Sequence, residues 1–427
     1  MKNKFHFIDL FCGIGGFHQA LSPLGGECVF SSEIDRDCID VYFENYKINA
    51  NHDITKINVK KIPVHDVLCA GFPCQAFSKA GKQAGTKDTR GTLFFEIERI
   101  LRHHHTQFIL LENVRNLISH DHGRTWEIIT RVLRDIGYRL TEKPLILSPH
   151  QFGIPQLRER VYIVGKYDPD NINIPLEISF KNLTNKKDLS IYGLLDPAEV
   201  GKNYAISTEE MQALTAWNEF YQGINLKTIG FPVNTNYFQF NGDIKLLPKW
   251  KQSHILRNQK LYAENKEFID IWLKKWNYLN NFTPTHHKFE WQCGTGISSI
   301  FEGLIQMRPS GIRVKMPNVF PALVAIVQIP IIGKYCRRLT ERECARLQSF
   351  PDDFKICKNK HQALKQFGNS VNINVLQEIF KQLVEKYGPI NSIPQKNTST
   401  NSYSVQKEDK QLLLALEKKA KYRKTKK

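Results

Sequence analysis

The residue most suited to covalent chemistry is Cys74, a cysteine placed directly after a proline in the stretch GFPCQAFSKAG, Gly71 to Gly81. Three roles are open to it: half of a disulfide, a metal ligand, or a nucleophile. The nine cysteines stand at positions 12, 28, 38, 69, 74, 293, 336, 344 and 357, an odd number with no CxxC pair and no repeated spacing. That pattern argues against a secreted disulfide framework and against a structural zinc site, so the nucleophile survives. Cys69, inside the preceding apolar run, reads as a small buried hydrophobe.

Two further stretches carry charge beside apolar runs. LLENV ends an apolar run with Glu112 and Asn113, and a carboxylate there needs a partner or a task; a helix cap or an ion pair would be the plain explanation. QLRERVYIVG sets Arg158 and Arg160 two residues apart at the start of a strand, hence on one face. Like charges so placed suggest a shared anionic or polar target, with a solvated edge strand as the alternative.

A third stretch could hold a ligand. DLFCGIGGF, Asp9 to Phe17, follows an apolar run and opens a helix, where glycines allow the backbone close to a ligand. It is not a dinucleotide fingerprint, because after Gly13 and Gly15 the third glycine position is His18. Glu33 is placed to bind a ribose hydroxyl pair, and Asp53 could accept from an adenine amino group. The set fits an adenosine-containing cofactor without a pyrophosphate; a turn serving only helix packing is the other reading.

These residues need a frame. The runs at 5–11, 27–34, 66–72, 108–114 and 161–165 read as buried strands, most followed by a turn and a helix-length segment. In TWEIITRVLRDIGY, Ile128, Ile129, Val132, Leu133 and Ile136 share one helical face and Gly137 is the stop. Such alternation predicts a doubly wound parallel sheet covered on both sides, with Cys74 just past the carboxyl end of a strand. Residues 170–330 show little alternation, and predict a separate irregular domain or a large insertion. Near 336 helical patterning returns, with Thr340 and Glu343 spaced as a capping box, and a further helical segment ends at Gly388. Residues 389–406 read as a polar linker leading to a lysine-rich tail.

The 427 residues carry 60 Lys or Arg against 42 Asp or Glu, a formal charge of +18. Residues 407–427 hold nine basic against three acidic residues, which leaves +12 for the rest of the chain. A surplus of that size favours a polyanionic partner, nucleic acid above all. No apolar stretch reaches the roughly 18 residues of a membrane span, and no signal-peptide core forms before the glycine turn, so the expected location is the cytoplasm.

In order along the chain, DLFCGIGGF, GFPCQAFS, ENV, QLRER, RRLTERECARLQSFPDDF and QFGNSV resemble the DNA (cytosine-5) methyltransferase family over about residues 5 to 385. The resemblance implies an α/β fold of the S-adenosylmethionine-dependent methyltransferase (Rossmann-like) type with a smaller, irregular target recognition domain. The implied domains are 1–168 catalytic and cofactor-binding, 169–330 target recognition, 331–387 the closing part of the catalytic domain, and 388–427 linker and basic tail. Implied catalytic residues are Cys74 with Pro73 and Gln75, Glu112 with Asn113, and Arg158 with Arg160. Cys74 would add to carbon 6 of a flipped-out cytosine, Glu112 would hold the base edge, and the arginines would orient its carbonyl and restrain the cysteine loop. S-adenosyl-L-methionine would be held by Phe11, Gly13, Ile14, Gly15, Glu33, Ile34, Asp53, Ile54, Pro73 and Leu93, with Asn369 and Val371 closing the site; no metal is needed. The implied partners are double-stranded DNA and a restriction endonuclease acting on the same site, for a monomeric enzyme with no membrane association. Where the family often ends its recognition domain with Thr-Leu, this chain has Ala322-Leu323. Three rivals remain: a transfer-RNA cytosine-5 methyltransferase of the same fold, a catalytically silent DNA clamp, and an NAD-dependent oxidoreductase.

Overall fold

The computed structural model describes residues 4–72, 93–180, 183–224, 230–323 and 329–390. The chain forms two compact units, one from residues up to Asn185 together with those from Ala345 onward, the other Lys186–Cys344. The division differs from the expected 168/169 and 330/331.

In the first unit β1 (Phe5–Leu10), β2 (Gly26–Ser32), β3 (Val67–Gly71) and β4 (Phe108–Val114) run parallel in the order β2-β1-β3-β4. Past the short β7 (Gln156–Leu157), β8 (Arg160–Tyr167) lies antiparallel to β4, and β5 (Tyr138–Leu140) and β6 (Leu145–Leu147) both pair antiparallel with β8. The sheet is therefore mixed, which corrects the expectation of a purely parallel one. A parallel strand needs a crossover of a dozen or more residues, usually helical, and no α-helix lies between β6 and β8.

The expected helix is α4 (Arg124–Asp135), following α1 (Gly16–Leu21), α2 (Arg36–Tyr46) and α3 (Leu93–His104). Ile128, Ile129, Val132 and Leu133 of α4 join Ile97, Ile100 and Leu101 of α3 in one core with Ile8, Leu68, Ile109 and Leu111 of the sheet. Central strands covered on both faces read as continuous apolar runs, which is why β4 is buried from Phe108 to Asn113. On the other side α1 packs against α10 (Ile373–Tyr387), which follows α9 (Lys360–Asn369).

The second unit holds α5 (Thr208–Gly223), α6 (Lys249–Glu264), α7 (Lys266–Lys275) and a six-stranded sheet. Its strands are β9 (Val233–Asn234), β10 (Lys288–Gln292), β11 (Leu304–Arg308), β12 (Gly311–Lys315), β14 (Ile331–Ile332) and β15 (Arg337–Arg338), in the order β15-β14-β11-β12-β10-β9, with β13 (Phe320–Pro321) outside it. This unit is more regular than the sequence suggests. Strands of two to five residues, separated by 3-10 turns, are too short to print an alternating pattern. Its boundary falls inside α8 (Glu341–Leu347), and β14 and β15 belong to its sheet, so residues 331–344 belong here.

The capping box forms: Thr340 Oγ1 accepts from the Glu343 amide at 3.1 Å, and Glu343 Oε2 accepts from the Thr340 amide at 2.8 Å. The same carboxylate takes both guanidinium arms of Arg337, at 2.9 and 2.8 Å, with side-chain exposures of 2% and 0%. Deleting one partner strands the other charge in the interior. Glu343→Ala is expected to lower stability by about 3–5 kcal/mol in urea unfolding, whereas Arg337→Met combined with Glu343→Leu should cost far less.

Candidate active site

The strand ends β3 and β4 meet in register, with Gly71 opposite Glu112. A methyl group at Gly71 would stand 3.8 Å from the Phe17 ring, 3.9 Å from Glu112 Oε2 and 3.9 Å from Val371 Cγ1. Glu112 is buried, and its other oxygen, Oε1, lies 3.0 Å from Arg160 Nε. One oxygen is thus held by a cation while the other faces the end of β3. Desolvation raises the Glu112 carboxyl above its ordinary range, and the charges of Arg160 and Arg158 pull it partly back.

Asn113 is buried beside it and works on the backbone. Its Nδ2 donates to the Phe72 carbonyl at 3.2 Å, and its Oδ1 accepts from the Val114 amide at 2.8 Å. The last described residue before Pro73 is therefore tied to the strand that carries Glu112. Pro73, Cys74 and Gln75 lie outside the described residues. The eight described cysteines are all free. Burial pushes up the thiols of Cys12, Cys28, Cys69 and Cys344, which leaves each a poor nucleophile.

Arg158 precedes β8, whose first residue is Arg160, and both arginines act on Glu112. The Arg158 side chain is buried, and its Nη2 donates to the carbonyls of Gly368 and Ser370 at 3.0 and 2.8 Å. Burial and the neighbouring Arg160 push its guanidinium down to about 9, still a cation at neutral pH. It grips the segment between α9 and α10.

That segment also reaches the glycine turn. A methyl group on Gly16 would fall 2.5 Å from Val371 Cγ2, so the backbone at the start of α1 and Val371 are in close contact. Gly15 has φ +86°, and a methyl group there would fall 2.3 Å from the Tyr46 ring, so glycine is required on both counts. Gly13 has φ +54°, and among the described residues no atom beyond its chain neighbours stands within 4 Å of a would-be Cβ, which leaves room for a ligand. Phe11, at φ +55°, packs its partly buried ring on the core, and Ile14 is buried.

Glu33, just past β2, accepts from the Gly13 amide at 2.9 Å and from the Ile34 and Asp35 amides at 2.8 and 2.9 Å. Its carboxylate is locked to the turn. Ile34 is 73% exposed, an apolar side chain with no cover, beside an anchored acceptor. A backbone bridge pairs Glu33 with Asn51, two residues before Asp53. Asp53 caps a 3-10 turn by accepting from Thr55, and hydrogen bonds from Thr55 draw its carboxyl below the ordinary range. Ile54 is buried and its carbonyl accepts from Arg99 at 3.0 Å. An open glycine turn, a fixed acidic acceptor and an uncovered aliphatic face suit a nucleoside. Leu93 is the first residue of α3, and Asn369 is the exposed last residue of α9.

Three residues escaped the sequence reading. Gly71 and Phe17 border Glu112 with no chemical signature of their own. Asp9 was visible as an acid in an apolar strand; it is fully buried, and burial drives its carboxyl well above the ordinary range. Among the described residues no His, Cys, Asp and Glu group could hold a metal ion.

The family model for C-5 cytosine-specific DNA methylases matches residues 5–385. The chain belongs to that family. It is a DNA (cytosine-5-)-methyltransferase whose methyl donor is S-adenosyl-L-methionine. Relatives include the Type II methyltransferases M.HpaII of Haemophilus parainfluenzae, 35% identical over 91% of each chain, and M.HhaI of Haemophilus parahaemolyticus, 34% identical over 87% of this chain and 92% of that one. M.AluI of Cellulosimicrobium cellulans is 32% identical over 90% and 92%. A triple mutant of Spodoptera frugiperda DNMT2 shares the fold, with TM-score 0.50 and 19% identity over 88% and 99% of the two chains. No helix among the described residues is long and apolar enough to cross a membrane.

The methylase keeps the Glu112 proton more tightly folded than unfolded, so that contribution to stability is complete at low pH and is lost as pH rises through the folded value. Arg160→Gln removes a charge that lowers the carboxyl. In the variant Glu112 should titrate at higher pH than in the wild type, read by carbon-13 NMR of glutamate-labelled protein with Glu112→Gln assigning the signal.

Proposed function

We propose that this enzyme methylates carbon 5 of a cytosine flipped out of a specific duplex sequence, through a covalent Cys74 adduct, as the protective methylase of a restriction-modification system. The observation that carries the reading is the Glu112 carboxyl: buried at the end of β4, held by Arg160 on one oxygen and turned toward the end of β3 with the other. Cys74 is three residues past Gly71, within about 10 Å of chain reach. A base stacked inside a duplex exposes neither carbon 5 nor carbon 6 to such a pair, so the nucleotide has to swing out, at a cost of a few kcal/mol.

Carbon 5 of cytosine is a weak nucleophile. The Cys74 thiolate adds its electron pair to carbon 6, and the displaced π electrons move toward carbon 5 and N3. The raised Glu112 carboxyl donates a hydrogen bond to N3 and accepts from the exocyclic amino group, so the charge that develops on the ring meets a proton. Arg160 fixes the carboxyl, and Arg158 braces the Gly368–Ser370 segment behind it. Asn113 holds the backbone entering Pro73 and Gln75. When bound, S-adenosyl-L-methionine would supply an electrophilic methyl group to carbon 5 and leave as S-adenosyl-L-homocysteine. Loss of the carbon 5 proton to solvent then restores the ring double bond and expels the Cys74 thiolate.

For the cofactor, Glu33 offers its anchored carboxylate to the ribose hydroxyls and Ile34 its bare side chain to the adenine face. Gly13, Gly15, Phe11 and Ile14 shape the turn, Asp53 and Ile54 border the base, and Leu93, Asn369 and Val371 close the pocket. Similarity to Type II methyltransferases makes a restriction partner the natural setting.

Tritiated methyl transfer to mixed-sequence duplex DNA and to transfer RNA tests the reading. Label is expected in DNA as 5-methylcytosine, with Cys74→Ser losing at least 1,000-fold in rate, about 4 kcal/mol of barrier. Label confined to transfer RNA, or retained by Cys74→Ser, would contradict it.

A further inference from the structure

Helix α6 of the second unit has a surface with no evident work inside the protein. From residue 244 to 263 the chain carries five basic residues, Lys245, Lys249, Lys251, Arg257 and Lys260, and no acidic one. The helix buries Ile255, Asn258, Leu261 and Tyr262 on one side. At 100° per residue, Lys249, Ser253, Leu256, Arg257 and Lys260 fall on the opposite side with Trp250 at its edge, and all six are exposed; Glu264, the last residue of the helix, shares that side.

Two of the six are apolar. Trp250 is 65% exposed and Leu256 55%, and Leu246, just ahead of the helix, is 83% exposed. Trp217, Trp272 and Trp291, by contrast, are buried in the core of the same unit. Among the described residues Lys249 and Arg257 meet no carboxylate, and Lys260 reaches Glu264 only at 3.7 Å. An exposed pair at that distance contributes little. Cations without counter-charges, set around a bare indole, call for an anionic partner that also offers a flat, less polar surface.

We infer that this face of α6 lies along the backbone of duplex DNA, adding sequence-independent affinity. The inference rests on the family's DNA activity and goes beyond the site where chemistry occurs. Lys249 to Lys260 spans about 16 Å at 1.5 Å per residue, a length over which one strand presents four or five phosphates, one per about 3.4 Å of duplex axis. The three cations supply charge-assisted contacts to phosphate, and the Trp250 indole offers an N–H donor and a broad face to the sugars. A lipid surface fits less well, because only two apolar side chains interrupt the polar residues on the helix face, too little to enter a bilayer boundary.

The test uses the full chain, with Lys249, Arg257 and Lys260 all changed to Gln. Duplex binding is measured against salt, and methyl transfer to the same duplex is checked first in the wild type. Failure of that check would count against the enzyme's DNA activity, whereas success isolates the helix. The slope of log affinity against log salt should fall by about 2–3, close to 0.9 for each lost phosphate contact, with the methylated sequence unchanged. In a second measurement, saturating duplex DNA should shield wild-type tryptophan emission from acrylamide, and Trp250→Phe should abolish the shielded component. An unchanged salt slope, or Trp250 equally quenchable on DNA, would overturn the inference and leave the face to a protein partner.

Discussion

The proposed active site depends on the parallel pairing of β3 with β4, which sets Gly71 against Glu112. Two neighbouring strands that end at the same height set the Glu112 carboxylic acid of one beside the last residue of the other. Because the register of a buried strand is pinned by its apolar residues, the placing of Glu112 beside Gly71 is fixed by the sheet itself. Asn113 extends the constraint past the sheet by gripping the Phe72 carbonyl.

Around that pairing the charges are arranged so that a buried acid is tolerated yet remains easy to protonate. Desolvation raises the Glu112 carboxyl, and the neighbouring arginine charges lower it. Arg160 stands against one oxygen, Arg158 donates to the carbonyls of Gly368 and Ser370, and the charges of both lower the carboxyl against the rise that burial causes. Arg158 thereby joins two ends of the site. The segment it holds runs on to Val371, which packs against Gly16 of the glycine turn and lies near Gly71, beside Glu112.

Much of this was legible in the residues. Apolar runs mark β1 to β4 because central strands are buried on both faces, and α4 shows its stripe because only one face packs. Glu112, Arg158 and Arg160 stood out as charges in places where charge is costly. The direction of β8 did not, since an apolar run carries no sign of orientation, and its neighbours β5 and β6 have three residues each. The second unit was read as irregular because its strands are shorter than one visible alternation. Gly71 and Phe17 stayed hidden for a different reason: their part in the site comes from proximity, which no residue type reveals. Arg158 showed its charge but not its target, two carbonyls more than 200 positions away in the chain.

The central claim is that Cys74 and Glu112 act on one cytosine through a covalent bond. Fluorine in place of the carbon 5 hydrogen blocks the final elimination, because no proton is there to be lost and the adduct cannot collapse. The most direct measurement is mass spectrometry of the enzyme after reaction, in the presence of S-adenosyl-L-methionine, with duplex DNA carrying 5-fluorocytosine at its cytosine positions. The account predicts a stable protein–DNA species of one strand per chain, with the bond on the peptide that contains Cys74. An enzyme that methylates ordinary DNA but forms no adduct with the fluorinated duplex, or forms it on another residue, would contradict the account.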